Sequence, residues 1–235
     1  MIKTIFFDLD GTLLPMDQDV FTNAYFRALA AKAAPLGYEP KALVDGVWAG
    51  TKAMVKNDGS KTNEQAFWDT FLGVFGQEHA ADIAVFNDFY ENEFNTARDA
   101  CGFDPRAGEL VHDLKLLGYS LVLASNPIFP LVAQKARMRW AGVEPNDFRH
   151  ITSYENSRYC KPNPAYFRAL LEELELKGEE CLMIGNDAGE DTPAAAVGIR
   201  VFLLTNCLIN NVGFNLSSVP HGDFTDLRAF FATLR

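Results

Sequence analysis

Two acidic side chains stand two positions apart near the start of the sequence, directly after a run of apolar residues. In the stretch IFFDLDGTLL, residues 5–14, Asp8 and Asp10 follow that run and precede a glycine. One carboxylate can attack phosphorus and form an aspartyl-phosphate. A second carboxylate can protonate the leaving oxygen and later deprotonate water. Since two like charges this close repel each other, the pair also predicts a compensating cation at the end of a buried strand.

Polar groups with complementary chemistry end two later apolar runs or lie in the loop between them. They are Ser125 and Asn126 after one run, Asp187 and Asp191 after the other, and Lys161 in the intervening loop. A lysine and a hydroxyl group can hold phosphoryl oxygens. Oxygen ligands without His or Cys suit magnesium, which would also offset the repulsion between a phosphate dianion and a carboxylate nucleophile.

Four apolar runs have the length and composition of buried strands. They are residues 4–10, 119–126, 181–187 and 199–206, and a further short strand is predicted within 149–155. Three of the runs follow a helix-compatible stretch that ends in glycine, a common signal for the end of a helix. Strands alternating with helices favour an α/β fold with a Rossmann-like parallel sheet. In such a sheet, ligands bind at the carboxyl ends of the strands.

Residues 16–100 lack strand-like alternation and contain long helix-compatible stretches. Aromatic residues recur there at helical spacing, as Phe67, Phe71 and Phe75 do, which favours helices packed through aromatic faces. Because this block separates the first strand from the rest of the sheet, we predict an inserted helical domain over 16–100. The α/β core domain would then comprise 1–15 and 101–235.

Composition limits the partners and the location. The chain has 235 residues and a formal net charge of −10, which argues against a nucleic-acid or anionic-membrane surface because such partners need basic patches. No apolar run approaches the ~20 residues of a membrane-spanning helix. The apolar run at the N-terminus is too short for a signal peptide, and four cysteines without a CxxC pair favour free thiols. We expect a cytoplasmic protein, and the sequence does not predict its oligomeric state.

Four segments, in this order, resemble the four motifs of the haloacid dehalogenase (HAD) superfamily. They are DLDGT (8–12), LVLASN (121–126), CKP (160–162) and IGNDAGED (184–191). The resemblance implies a HAD-like core with a mobile helical cap domain between the first two motifs. It also implies a magnesium-dependent phosphatase that hydrolyses a small-molecule phosphate monoester.

The resemblance assigns a role to each motif residue. Asp8 would be the nucleophile and a metal ligand, and Asp10 would be the general acid/base and a metal ligand through its backbone carbonyl. The phosphoryl group would be bound by Ser125, Asn126 and Lys161. The remaining metal ligands would be Asp187 and Asp191. One departure leaves an alternative open, because Asn186 stands where many relatives have an acid. We favour Asp187 as the ligand, since a carboxylate balances the charge of the ion.

Other reactions on the same core remain alternatives. Dehalogenating relatives lack an acid at the position of Asp10, which favours phosphate chemistry. A phosphonate-cleaving relative would need a cap lysine for a Schiff base, for which Lys52 and Lys56 are candidates. A sugar-phosphate mutase would use the same core residues. A non-catalytic binding protein is disfavoured by the intact set of motif residues.

Overall fold

A parallel sheet of six strands forms the centre of the molecule in the computed structural model, which describes residues 1–234. In chain order the strands are β1 (Thr4–Phe7), β2 (Ser120–Leu123), β3 (His150–Ile151), β4 (Cys181–Gly185), β5 (Arg200–Leu204) and β6 (His221–Gly222). Their order across the sheet is β3-β2-β1-β4-β5-β6, and all neighbours are parallel. The predicted α/β class is confirmed, and β6 is a strand that the sequence patterns do not indicate.

Strand β1 lies between β2 and β4 and is completely buried. Its last residue, Phe7, pairs with Leu123 of β2 and with Ile184 of β4. The three strands therefore end at the same level of the sheet. As a result, the polar residues that follow them start from one edge.

Residues 16–100, which we call the helical segment, contain four α-helices joined by loops and 3₁₀ turns. The helices are α1 (Gln18–Ala33), α2 (Pro40–Val55), α3 (Asn63–Phe75) and α4 (Ile83–Glu91). Local signals explain where they begin: Asp17 accepts two backbone N–H bonds before α1, and Thr62 forms a capping box before α3. The division of the chain into two domains stays a prediction, because one apolar cluster contains residues of both parts.

Five further helices belong to the part of the chain that carries the sheet. They are α5 (Pro105–Leu116), α6 (Leu131–Trp140), α7 (Pro164–Glu173), the short α8 (Ala188–Asp191) and α9 (Phe224–Ala232). Helices α5 and α7 have proline at their first position and Asp104 or Asn163 as the cap, an arrangement typical of helix starts. Helix α8 follows β4 directly and carries the last predicted site residue.

The two chain segments that connect the helical segment to the sheet run side by side. Met16 and Cys101 form an antiparallel bridge, and the N–H of Gly102 donates to the carbonyl of Pro15 at 2.7 Å. A side chain at position 102 would meet Pro15 at 3.1 Å, so the two connections are in close contact. The helical segment thus leaves and rejoins the sheet at one place.

The structure also bears on the cysteines and on membrane contact. All four cysteines are free, with Cys160 and Cys181 buried and Cys101 and Cys207 half-buried. Within residues 1–234, none of the helices combines the length and the apolar composition that crossing a bilayer requires.

Candidate active site

The loop after β1 turns sharply just beyond Asp8. The carbonyl of Leu9 accepts backbone N–H bonds from Thr12, Leu13 and Leu14, at 3.1, 3.0 and 2.9 Å. Gly11 has a φ of +86°, and a β-carbon there would lie 2.2 Å from Nδ2 of Asn186. Only glycine tolerates the positive φ and also has no β-carbon to collide with Asn186. Gly11 therefore allows the first and fourth motifs to touch.

Asp8 and Asp191 share one buried cation. Nζ of Lys161 lies 3.0 Å from Oδ1 of Asp8 and 2.7 Å from Oδ1 of Asp191, and the lysine side chain is fully buried. Burial alone would lower the pKa of Lys161, but the carboxylates of Asp191 and Asp8 outweigh it and hold this pKa well above the ordinary value. The ammonium group is therefore charged and directed at the predicted nucleophile.

Thr12 connects Asp8 to the fourth motif. Its hydroxyl lies 3.2 Å from Oδ2 of Asp8 and 2.9 Å from Oδ1 of Asn186. The amide of Asn186 in turn donates to the carbonyl of Cys207 at 2.8 Å. Both oxygens of Asp8 thus have polar neighbours, and the side chain of Asn186 is held in one orientation.

Asp10 is paired with an arginine that the motifs do not reveal. Arg137, in α6, is fully buried and donates to Oδ2 of Asp10 and to Oε1 of Gln134 at 2.6 Å. Its guanidinium also stacks on Phe129, 4.3 Å from the ring centroid. Burial raises the pKa of Asp10, and Arg137 opposes that rise. The other oxygen of Asp10, Oδ1, is buried without a hydrogen-bond partner among the described residues.

Sequence analysis missed Arg137 because its partner is far away along the chain. The one available signal was its setting in α6, where a charged residue lies between the apolar residues Ala136 and Met138. An arginine in such a setting is rarely fully buried unless it is paired.

The second and fourth motifs meet at the same edge. Nδ2 of Asn126 donates to Glu190 at 3.0 Å. Asp187 caps α8 by accepting from the N–H groups of Gly189 and Glu190, at 2.7 and 3.1 Å. Glu190, which sequence analysis did not single out, has its pKa raised to about 8, first by burial and then by nearby carboxylates, against the effect of Lys161. The residues of all four motifs therefore converge.

A cavity of about 330 Å³ opens above these residues. Five of the predicted site residues line it: Asp8, Asp10, Ser125, Asn126 and Asp187. Lys161 touches Asp8 from beneath the cavity, and Asp191 touches Lys161, so neither is part of the lining. Aromatic side chains of the helical segment, including Trp48, form another part of the lining.

The donor atoms at the lower end of the cavity fit a magnesium ion. Asp8, Asn186 and Asp187 supply oxygens there, and the lining contains no His or Cys among the described residues. Within residues 1–234, no three acidic, His or Cys side chains are close enough to form a metal site by themselves. Magnesium commonly takes one or two carboxylates and completes its coordination shell with water and phosphate oxygens. The two carboxylates and one amide oxygen found here match that coordination.

Comparison with known proteins identifies the family. A family model described as haloacid dehalogenase-like hydrolase matches residues 2–198. The chain belongs to the haloacid dehalogenase-like hydrolase family. The HAD resemblance and the expected hydrolase class are thereby confirmed. The match covers the sheet through β4, the helical segment and all four motifs.

Two curated relatives of this HAD-like hydrolase are phosphatases. The glyceraldehyde 3-phosphate phosphatase of Methanothermobacter thermautotrophicus is 27% identical over 216 residues, which are 88% of this chain and 86% of the relative. The phosphoglycolate phosphatase of Vibrio vulnificus is 26% identical over 204 residues, 87% of this chain and 84% of the relative. A crystal structure of the HAD-hydrolase YfnB from Bacillus subtilis, bound to magnesium, has the same fold. It shows a TM-score of 0.54 and 18% identity, and 99% of this chain and 98% of that one are covered.

Proposed function

We propose that this HAD-like hydrolase is a magnesium-dependent phosphatase that acts on a small phosphate monoester through an aspartyl-phosphate. The observation that carries the proposal is the position of Asp8 on the cavity floor, between Lys161 and Thr12. In the same cavity Asp10 has one buried oxygen without a partner. A nucleophile and a proton donor are thus adjacent in a partly enclosed site.

In the first step, a carboxylate oxygen of Asp8 attacks phosphorus, and the bond between phosphorus and the leaving oxygen breaks. Asp10 donates a proton to that oxygen, so the product leaves as a neutral alcohol. Ser125, which lines the cavity with Asn126, would bind another phosphoryl oxygen. Lys161 lies outside the lining against Asp8, and its ammonium group would bind a phosphoryl oxygen next to the nucleophile. Thr12 keeps the Asp8 carboxylate in orientation.

In the second step, water attacks the phosphorus of the aspartyl-phosphate. Asp10, now ionised, accepts a proton from that water, and the bond between phosphorus and Asp8 breaks. Inorganic phosphate is released, and both carboxylates return to their starting states. The same oxygen of Asp10 can serve both steps because Arg137 holds the other one.

The ion would be held by Asp8, by the backbone carbonyl of Asp10, and by Asp187 or Asn186. When bound, it would neutralise charge on the phosphoryl group and on the nucleophile. The sequence-based assignment of Asp191 as a further ligand stays a prediction. Its carboxylate contacts Lys161 and the N–H of Asp187, a position that also suits it to orient the lysine.

Residues 16–100 are proposed to act as the cap that selects the leaving group. Their aromatic side chains line the same cavity as Asp8. Neither Lys52 nor Lys56 is part of the lining in the described chain, which counts against a Schiff-base mechanism on a phosphonate. A mutase remains the second candidate, because the same core residues would serve it.

The test is hydrolysis of p-nitrophenyl phosphate with magnesium and with excess chelator. We expect turnover only with the metal, and a loss of at least about 10³-fold in Asp8→Asn, because an amide cannot act as the nucleophile. Asp69→Asn is the matched control, since Asp69 is exposed and pairs only with Lys61. Because water attacks phosphorus in the second step, mass spectrometry after turnover in H₂¹⁸O should find ¹⁸O in the released phosphate and none in the Asp8 carboxylate.

Wild-type turnover in Asp8→Asn would refute the nucleophile, and full turnover in chelator would refute the metal requirement. A sugar acceptor separates hydrolysis from phosphoryl transfer. Hydrolysis predicts one free phosphate per substrate consumed, whether or not the acceptor is present. A fall in released phosphate with a matching gain of sugar phosphate would favour the mutase.

A further inference from the structure

The part of the cavity lining that comes from the helical segment, which we call the wall, consists largely of aromatic rings. Six side chains of the helical segment contribute to it: Phe21, Tyr25, Phe26, Trp48, Phe67 and Tyr90. The other lining residues from this segment are uncharged, namely Gln18, Thr22, Val47 and Thr51. Trp48 is half exposed, with 51% of its surface accessible, so it lies at the rim, where a bound ring can reach it.

Cations are missing from this wall. In the described part of the chain, no Lys, Arg or His lines the cavity. Two cations contact acidic residues of the lining, and both already have carboxylate partners: Arg137 pairs with Asp10, and Lys161 pairs with Asp8 and Asp191. The charged groups that do line the cavity are all acidic residues. Away from the proposed metal position, a second anionic group on the substrate would therefore meet rings, carboxylates or uncharged polar groups, and no cationic side chain of the lining.

We infer that the preferred substrate is a phosphate monoester of an uncharged, ring-bearing and largely apolar alcohol. This inference rests on the proposed phosphatase function and specifies its substrate class. Burying an unpaired carboxylate against the rings would cost free energy, whereas an aromatic or alicyclic ring gains contact area and stacking. The hydroxyl groups of Thr22 and Thr51 can form hydrogen bonds with a few polar substituents on the leaving group.

The size of the cavity agrees with this class. Its volume of about 330 Å³ lies at the lower end of the range for small-molecule sites. A two-carbon leaving group would leave most of the aromatic wall in water, so its binding would gain little from the wall. We therefore expect phosphoglycolate, whose leaving group is small and carries a carboxylate, to be a poor substrate of this chain.

The first experiment compares two esters that differ in charge and hardly in shape. They are 4-carbamoylphenyl phosphate, which is neutral beyond its phosphate, and 4-carboxyphenyl phosphate, assayed with magnesium at one pH. We expect kcat/KM to be higher for the neutral ester by roughly 30-fold or more, mostly through KM. p-Nitrophenyl phosphate serves as the reference for phosphatase activity itself.

The second experiment places a cation in the wall. Thr22→Lys should raise kcat/KM for the carboxylated ester about tenfold and lower it for the neutral ester. Asn23→Lys is the matched control, because Asn23 is the next residue on α1, is exposed and does not line the cavity. That control should leave the ratio of the kcat/KM values for the two esters unchanged.

Each outcome has a distinct meaning. If no ester is hydrolysed, including p-nitrophenyl phosphate, the proposed phosphatase function fails. If the esters are hydrolysed but the carboxylated one is equal or better in the wild type, the substrate class is wrong while the phosphatase stands. If a folded Thr22→Lys variant has the wild-type ratio of kcat/KM between the carboxylated and the neutral ester, the claim that the wall's lack of charge sets the preference is wrong. A rise of this ratio in favour of the carboxylated ester supports it.

Discussion

At the scale of single residues, the contact between Arg137 and Asp10 is the feature that sequence analysis could not find. The two residues are 127 positions apart, and only the packing of α6 against the loop after β1 brings them together. By contrast, the sequence indicates that Asp8, Ser125 and Asp187 lie near one another, because each stands within two residues of the end of an apolar strand. Parallel topology then determines that they meet.

Loss of Arg137 should destabilise the fold. Arg137→Met leaves Asp10, whose side chain is 19% exposed, without its cation, and we expect a cost near the lower end of the about 3–5 kcal/mol known for fully buried pairs. Urea unfolding, monitored by circular dichroism, measures the change in the free energy of unfolding. Arg139→Met is the control, because Arg139 lies on the same helix but is exposed, and it should change the free energy by less than about 0.5 kcal/mol. Equal effects of both substitutions would show that the pair of Arg137 and Asp10 does not contribute to the free energy of unfolding.

Gly11 should be intolerant of substitution for two separable reasons. Gly11→Ala adds the cost of a left-handed backbone, about 1–2 kcal/mol, and a collision with Asn186. Gly37→Ala isolates the first cost, since Gly37 has a φ of +87° and no atom within 4 Å of the added carbon. We expect Gly37→Ala to keep its turnover and Gly11→Ala to lose at least about tenfold in kcat. Equal turnover in the two variants would contradict the role of the contact with Asn186.

At the scale of elements, strands were easier to predict than short irregular pieces. Strands such as TIFF and CLMIG are almost entirely apolar and are buried throughout, so composition alone indicates them. Strand β6 has only two residues, His221 and Gly222, too few for any periodicity. The helix-compatible stretch before β5 forms a helix that begins at Ala188 and continues as a 3₁₀ turn over Thr192–Val197, because Asp187 caps it just after β4.

The start of α3 connects the helical segment to the loop before Lys161. Asn63 is completely buried, and its amide lies 3.2 Å from the carbonyl of Pro127 and 3.4 Å from that of Tyr159. Asn63→Leu should therefore destabilise the protein by about 1–3 kcal/mol, since it leaves buried carbonyls without donors. Hydrogen exchange of residues 154–160 should also become faster.

The control for that substitution is Asn95→Leu, which changes an exposed asparagine of the same segment. It should alter neither the stability nor the exchange of residues 154–160. Unchanged exchange in Asn63→Leu would show that α3 does not hold this loop.

At the scale of the whole molecule, one apolar cluster extends from the sheet into the helical segment. It includes Phe7 of β1, Trp140 of α6, and Phe21 and Tyr25 of α1. Since both parts share this packing, we expect a single cooperative unfolding transition. In differential scanning calorimetry, the calorimetric and van't Hoff enthalpies should agree. Two resolved transitions would instead support two independently stable domains.

The side-by-side course of the two connections at Pro15 and Gly102 has a consequence for the history of such proteins. A segment whose ends are nearly in contact can be replaced by another of different length, because the remainder of the chain needs only to span the same short gap. If residues 16–100 select the leaving group as proposed, exchange of this segment together with its share of the apolar cluster would change the substrate and leave Asp8, Asp10 and Lys161 in place.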